Sequence, residues 1–321
     1  MACYHPITAY KTADGSVVFH EKAYFNIIKT LSLPCNQCIG CRLERSRQWA
    51  MRCMHEAQLH EENCFITLTY NKEHLPYAES LNHEHFKLFI KRLRKKLAPK
   101  RIRFYMAGEY GTKGGRPHYH AAIFGWRPND LYEPRKTKAG SLIYQSKILE
   151  DCWRTRNKDT GEYESIGLSS VGELTFESAA YIARYICTKI TGKGEAYKYH
   201  NCYTDIQTGE IVKRVPEYNK MSLKSITGIK GMPGGIAADW YLKYKKDVYP
   251  HDYVVVRGMK MKPPKYYDKI LKKQDFELFE EITYQREKSA KLNYLDNTPE
   301  RLVVKEQVAQ ARLNRLKRNL T

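Results

Sequence analysis

The residues that could do chemistry together in this sequence are two histidines, a carboxylate and a pair of tyrosines. The stretch Arg116-Pro117-His118-Tyr119-His120-Ala121-Ala122-Ile123-Phe124 follows a Gly-rich turn and runs into an apolar segment bounded by Arg127-Pro128, the pattern of a β-strand. Strand residues two apart face the same side, so the imidazoles of His118 and His120 can converge on one ion. Spacing alone does not decide this, because Asn82-His83-Glu84-His85-Phe86 repeats it. There the histidines open a helical pattern with Phe86, Phe89, Ile90, Leu93 and Leu97 on one stripe. Helical neighbours two apart diverge by about 200°.

Glu109 ends the strand predicted over 101–108, and the turn Gly111-Thr112-Lys113-Gly114-Gly115 makes that strand and the histidine strand a hairpin. The turn brings Glu109 beside the histidines; the competing reading is a solvated turn carboxylate. Two imidazoles, one carboxylate and open positions suit Mg²⁺ or Mn²⁺, with a phosphate completing the oxygen ligands. Such an ion acts as a Lewis acid on a phosphodiester.

A helix is predicted over 175–191, with Thr175 as N-cap, Glu177 in its first turn and Gly192 after its end. Phe176, Ala179, Ala183, Ile186 and Ile190 form its apolar stripe. Tyr181, Tyr185 and Lys189 recur at i, i+4 and i+8 on another face, with Arg184 beside them. A phenolate attacks phosphorus and conserves the bond energy as a phosphotyrosine ester. Against this, Tyr is abundant, and Tyr199/Tyr203 and Tyr249/Tyr253 repeat the spacing; placement downstream of the histidine strand is what singles out the first pair.

Cys35, Cys38 and Cys41 form a C-x-x-C-x-x-C cluster, with Cys3 as an upstream fourth thiol. Four thiolates suit a structural Zn²⁺; an iron–sulfur cluster and plain reduced thiols are the other readings.

These groups need elements to hold them. The predicted order after the Cys-rich segment is a helix over 42–61, a buried strand over 64–70, a basic amphipathic helix over 83–98, the hairpin, a loop over 127–140, a short helix over 141–155, a weak strand within 163–172 and the tyrosine helix. Residues 1–41 read as irregular, and 275–320 as a charged helical segment. An antiparallel hairpin among helices predicts an α+β fold. The domain reading is a Cys-rich segment with a basic helix at 1–61, a catalytic core at 62–195 and a C-terminal extension at 196–321 for DNA or partner binding.

The 321 residues carry a formal net charge of +20, which points to an anionic partner, nucleic acid first. The 25 tyrosines among the basic residues suit stacking on unpaired bases. Lys87, Lys91, Arg94 and Lys95 lie opposite the apolar stripe of their helix, and Arg42 and Arg45 recur on the helix after the cysteines; with Arg116 and Arg184 they are the candidate DNA contacts, although charge runs are often only solvated faces. No apolar run of about 18 residues could span a membrane, and no signal peptide is legible, so the expectation is a reducing cytoplasm and no membrane partner.

Phe65-Ile66-Thr67-Leu68-Thr69-Tyr70, then the histidine stretch, then Tyr181-Ile182-Ala183-Arg184-Tyr185, in that order, resemble the three motifs of the HUH endonucleases. The text around the cysteines and the histidines is similar to replication initiators of small single-stranded DNA phages, the gokushovirus branch of the microviruses, over about residues 1–190. The resemblance implies a central antiparallel sheet of about five strands and nicking of single-stranded DNA at an origin. It implies a covalent 5′-phosphotyrosine and a 3′-OH that primes rolling-circle synthesis by host helicase and polymerase in the bacterial cytoplasm. By position, His118, His120 and Glu109 would be metal ligands and Tyr181 and Tyr185 nucleophiles. The sequence departs from the family pattern in Tyr119 between the histidines, in Arg184 where Lys is usual, and in Lys189, one position late. Arg184 therefore reads as a phosphate clamp, not a proton donor. A plasmid initiator or transposase would share this chemistry. The alternative of another class is a non-catalytic, zinc-containing nucleic-acid-binding protein.

Overall fold

A computed structural model describes residues 3–22, 26–111, 115–137, 140–157, 159–188, 202–205, 207–225 and 233–315. The chain divides into two compact units, one of residues up to 45 with those from 279 on, the other Ser46–Leu278.

The smaller unit corrects the irregular reading of the N-terminus. Strands β1 (Ile7–Thr12), β2 (Val17–Val18) and β3 (Ile27–Leu33) form an antiparallel sheet in the order β2-β1-β3. Few of its side chains are buried, so it lacks the apolar alternation that would announce it. Ion pairs from Lys29 to Glu287 and from His5 to Glu306, each 2.7 Å, join it to the C-terminal helices.

Helix α1 (Ile39–Ala57) runs from that unit into the larger one. There follow β4 (Asn63–Thr69), α2 (His83–Lys96), β5 (Arg103–Tyr110), β6 (Pro117–Phe124), β7 (Leu131–Lys136), β8 (Leu142–Ser146), α3 (Lys147–Cys152), β9 (Arg154–Arg156), β10 (Tyr163–Ser165), β11 (Ser169–Gly172), α4 (Phe176–Thr188), β12 (Cys202–Thr204), β13 (Ile211–Lys213) and β14 (Tyr218–Met221). Further helices follow among the described residues: α5 (Ala238–Val248), α6 (Lys265–Gln274), α7 (Phe276–Leu292) and α8 (Pro299–Arg315).

The fold is α+β, as predicted, around one antiparallel sheet of order β14-β5-β6-β4-β11-β8-β7. It has seven strands where about five were expected. The hairpin β7–β8 widens one edge, where the sequence reads as a loop and a helix start. The strand β14 widens the other, returning from about a hundred residues downstream of β5. Strand β7 is almost fully exposed, which removes the apolar signal a strand normally carries.

The sheet has two covered faces. Strand β6 sends Tyr119, Ala121 and Ile123 to one side, where they pack in the core with Phe86, Phe89 and Leu93 of α2 and Leu149 and Trp153 beside α3. Asn82 caps α2, accepting from Glu84 N at 3.0 Å. His83 and His85 do not converge: their Nδ1 atoms meet Tyr218 Oη at 3.2 Å and Tyr70 Oη at 2.8 Å. The other face meets α1 and α4. Trp49 of α1 stacks on Tyr105 of β5, ring centroids 4.5 Å apart. Glu56, fully buried, takes both a bond from Arg103 Nη1 at 2.8 Å and one from Ala237 N at 2.6 Å. Gly167 passes so close to Thr69 O that a Cβ would lie 1.9 Å from it, so this approach of the β10–β11 turn to β4 requires glycine.

Candidate metal centre and tyrosine helix

The register of the sheet assembles the centre. In β5–β6, Glu109 pairs with His118 and Ala107 with His120; in β4–β6, Thr67 pairs with His120 and Thr69 with His118. Directly opposed residues share a face, so Glu109, Thr67 and both histidines all point toward the α4 side. Ala107, opposite His120, is small and leaves room between the larger side chains.

The ligand atoms of Glu109, His118 and His120 lie within 4.8 Å of one another. Glu109 Oε1 is 3.1 Å from His120 Nε2 and 3.8 Å from His118 Nε2. Hydrogen bonds behind the rings orient them. His118 Nδ1 donates to Arg116 O at 3.1 Å, which leaves its Nε2 as an acceptor. His120 Nδ1 meets Thr67 Oγ1 at 2.8 Å. Phe65 stacks against His120 at 5.4 Å.

The centre is dry. Glu109 is 0% and His120 2% exposed, and neither oxygen of Glu109 nor His120 Nε2 has a hydrogen-bond partner. Orphaned buried polar atoms are rare and costly. Burial, reinforced by the nearby Glu217 carboxylate, pushes the Glu109 carboxyl well above the usual range. Burial lowers His118, and burial with the neighbouring His118 holds His120 well below the ordinary imidazole value. Three acceptors converging without a donor fit a divalent cation, which would satisfy all of them and reverse the desolvation cost of the carboxylate charge.

Helix α4 lies over this group. Thr175 and Ser178 cap it reciprocally, Ser178 N donating to Thr175 Oγ1 at 3.2 Å and Thr175 N to Ser178 Oγ at 2.8 Å. Ala179, Ile182 and Ala183 are buried. Ser46 Oγ donates to Ala180 O, and Asn219 Nδ2 to Ile182 O. The helix thereby turns the ring of Tyr181 edge-on to His120, centroids 5.1 Å apart. Tyr185 and Arg184 lie on the next turn of α4 by position; their side chains, and all of Lys189, lie outside the described residues.

The basic candidates separate. Arg116 opens β6 beside the histidines, exposed, with Nη2 on Tyr70 O at 3.1 Å. Lys87, Lys91, Arg94 and Lys95 are exposed on α2, across the sheet from the metal group. Arg42 and Arg45 lie on the first turns of α1, in the smaller unit, where Arg45 Nη2 reaches Asn36 O.

Sequence reasoning missed Thr67 and Glu217. Thr67 could have been found, since it is the hydroxyl of the buried β4 motif facing the histidine strand. Glu217 accepts from Tyr110 N at 2.9 Å and precedes β14, whose pairing with β5 no local pattern announces.

The family model for replication-associated proteins of the ORF2 type matches residues 63–191, the span from β4 to the end of α4. The replication-associated protein VP4 of Bdellovibrio phage phiMH2K is 31% identical over 282 residues, 85% of this chain and 78% of that protein. The chain belongs to the replication-associated proteins of bacteriophages. A second member, the replication-associated protein ORF2 of Spiroplasma virus 4, is 31% identical over 91% of this chain and 87% of its own length. A third, ORF4 of Chlamydia phage 1, is 28% identical over 79% of this chain and 56% of its own. No solved structure matches. No described helix of this replication-associated protein is long and apolar enough to cross a membrane.

Proposed function

We propose that this replication-associated protein is an HUH-type single-strand DNA endonuclease and strand-transferase that starts rolling-circle replication of a phage genome in the host cytoplasm. The observation that carries the reading is the buried Glu109–His118–His120 group with the Tyr181 ring 5.1 Å from His120. A nucleophile beside a cation centre is what cleavage of a phosphodiester requires.

Glu109, His118 and His120 would hold Mg²⁺ or Mn²⁺, which when bound supplies Lewis-acid polarisation of the scissile phosphate. Tyr181 gives its phenolic proton to solvent and attacks phosphorus. The P–O3′ bond breaks as the new O–P bond forms, leaving a 5′-phosphotyrosine ester. The departing oxygen takes a proton and becomes the 3′-OH primer. Attack of a 3′-OH on the ester reverses the step and rejoins the strand. Tyr185, one turn on, serves as the second nucleophile, with Lys189 assisting. Arg184 and Arg116 clamp phosphates, and the basic side chains of α1 and α2 bind DNA beyond the cut site. The residues after 195 serve DNA or host-partner binding, with host helicase and polymerase extending the primer.

The test is a denaturing gel with single-stranded DNA spanning the cognate origin, in Mn²⁺ or EDTA, comparing wild type, Tyr181→Phe, Tyr185→Phe and the double variant. A Mn²⁺-dependent protein–DNA adduct, mapped by peptide mass to Tyr181 or Tyr185, is expected. Intact DNA binding with no adduct in any metal would instead support a non-catalytic DNA-binding protein.

A further inference from the structure

We propose that Cys3, Cys35, Cys38 and Cys41 form a mononuclear, structural Zn²⁺ site, separate from the Glu109–His118–His120 group, that staples the N-terminal sheet to the start of α1. The four sulfurs lie within 4.8 Å of one another. Cys3 Sγ is 3.6 Å from Cys35 Sγ and 3.9 Å from Cys38 Sγ. A tetrahedral zinc with Zn–S bonds of about 2.3 Å has sulfurs about 3.8 Å apart along each edge. All four cysteines are free thiols, so no disulfide pairing explains their meeting. An iron–sulfur cluster interposes several irons and sulfides between its cysteines, which a group this tight does not accommodate. Soft thiolates select zinc over Mg²⁺ or Mn²⁺, so the two centres differ in metal by their ligands.

The backbone is folded around the sulfurs. Cys38 N and Cys41 N donate to the sulfurs three residues before them, Cys35 Sγ at 3.3 Å and Cys38 Sγ at 3.5 Å. Cys35 N donates to Cys3 Sγ at 3.3 Å and Tyr4 N to Cys38 Sγ at 3.3 Å. Four thiolates around one dication leave a net charge of about −2, and N–H donors aimed at sulfur offset part of it. Asn36 takes φ +61° between the first two ligands of the cluster, making the tight turn; Asn tolerates that conformation.

The staple answers a packing deficit. The β1–β3 sheet sits in sequence between Cys3 and Cys35 and leaves Ile7, Val17, Phe19 and Ile28 exposed. So thin a core does not hold a small unit, and a metal commonly makes up the difference.

The experiment uses the full-length protein, purified under reducing conditions without chelator, and then dialysed against EDTA. Metal content is measured for wild type, His118→Ala/His120→Ala and Cys35→Ser/Cys38→Ser. We expect about one zinc per chain in the first two and at least a tenfold loss in the third. Titrating wild type with an organomercurial should release the zinc as the thiols are consumed, a readout that does not depend on the cysteine variant folding. Zinc removal should speed proteolysis within residues 3–33 at least tenfold while Mn²⁺ binding persists. Less than about a tenth of a zinc per chain, iron in its place, or zinc lost in the histidine variant yet kept in the cysteine variant would overturn the proposal. None of these outcomes touches the adduct assay, so the two readings fail separately.

Discussion

His120 Nε2 lies 3.1 Å from Glu109 Oε1, both atoms buried and neither in a hydrogen bond. Without a cation the pair is held neutral, the carboxyl by burial that raises it and the imidazole by burial that lowers it. Glu109→Gln keeps the shape and removes the charge. It should weaken Mn²⁺ binding about 10- to 100-fold, while stability in EDTA stays within about 1 kcal/mol of wild type. Calorimetric Mn²⁺ titration beside urea unfolding checks this; a large stability loss with unchanged Mn²⁺ affinity would make Glu109 purely structural.

Cation binding should release a proton from Glu109. Because its carboxyl is raised, apparent Mn²⁺ affinity should climb with pH by up to about tenfold per unit, levelling once pH passes the folded value. Titrations in buffers of different ionisation enthalpy count the protons released.

Thr67 Oγ1 holds His120 Nδ1 at 2.8 Å. Thr67→Val preserves the β-branched shape and removes that partner. Mn²⁺ affinity should fall about tenfold or more, with a shift in the His120 ring nitrogens by NMR and no loss of the sheet.

Tyr119 sits between the two histidines but on the other face. Its hydroxyl donates to Asn82 O at 2.7 Å and accepts from Asn82 N at 3.0 Å, the cap of α2. Tyr119→Phe should cost about 1–3 kcal/mol in urea unfolding and leave Mn²⁺ affinity unchanged. A loss of Mn²⁺ binding without destabilisation would contradict the sidedness of β6.

His55 is buried, stacked on Trp240 at 3.6 Å with Nδ1 2.6 Å from Tyr267 Oη, and burial lowers it to about 3. A depressed imidazole contributes stability that is full above the unfolded value near about 6.5 and is lost as pH falls toward about 3. Between about pH 7 and pH 5 this amounts to about 2 kcal/mol. His55→Gln should flatten the pH dependence by that amount across this window, measured as the change in urea midpoint; an equally steep fall in the variant would place the acid sensitivity elsewhere.

Local patterns are legible in this sequence wherever a periodicity meets a buried surface. The stripe of Phe86, Phe89, Ile90 and Leu93 marks α2, and Asn82 and Thr175 mark helix starts. The alternation through His118 and His120 marks one face of β6, and the short turn after Tyr110 sets Glu109 opposite His118. Strands β1, β3 and β7 are not legible, because their side chains are mostly exposed and leave no alternation to read.

Sequence by itself determined the chemical inventory: which side chains can ligate, which share a strand or helix face, and which thiols cluster. Tertiary structure alone decided what each face meets. It set Tyr181 against His120, put Thr67 behind that ring, brought Glu217 to Glu109 on a strand from far downstream, and turned the basic side of α2 away from the metal group. The reason is that a period of two or of about 3.6 defines faces without saying what covers them. That is decided by pairings between residues distant in sequence, whose cost in chain entropy only the assembled core offsets.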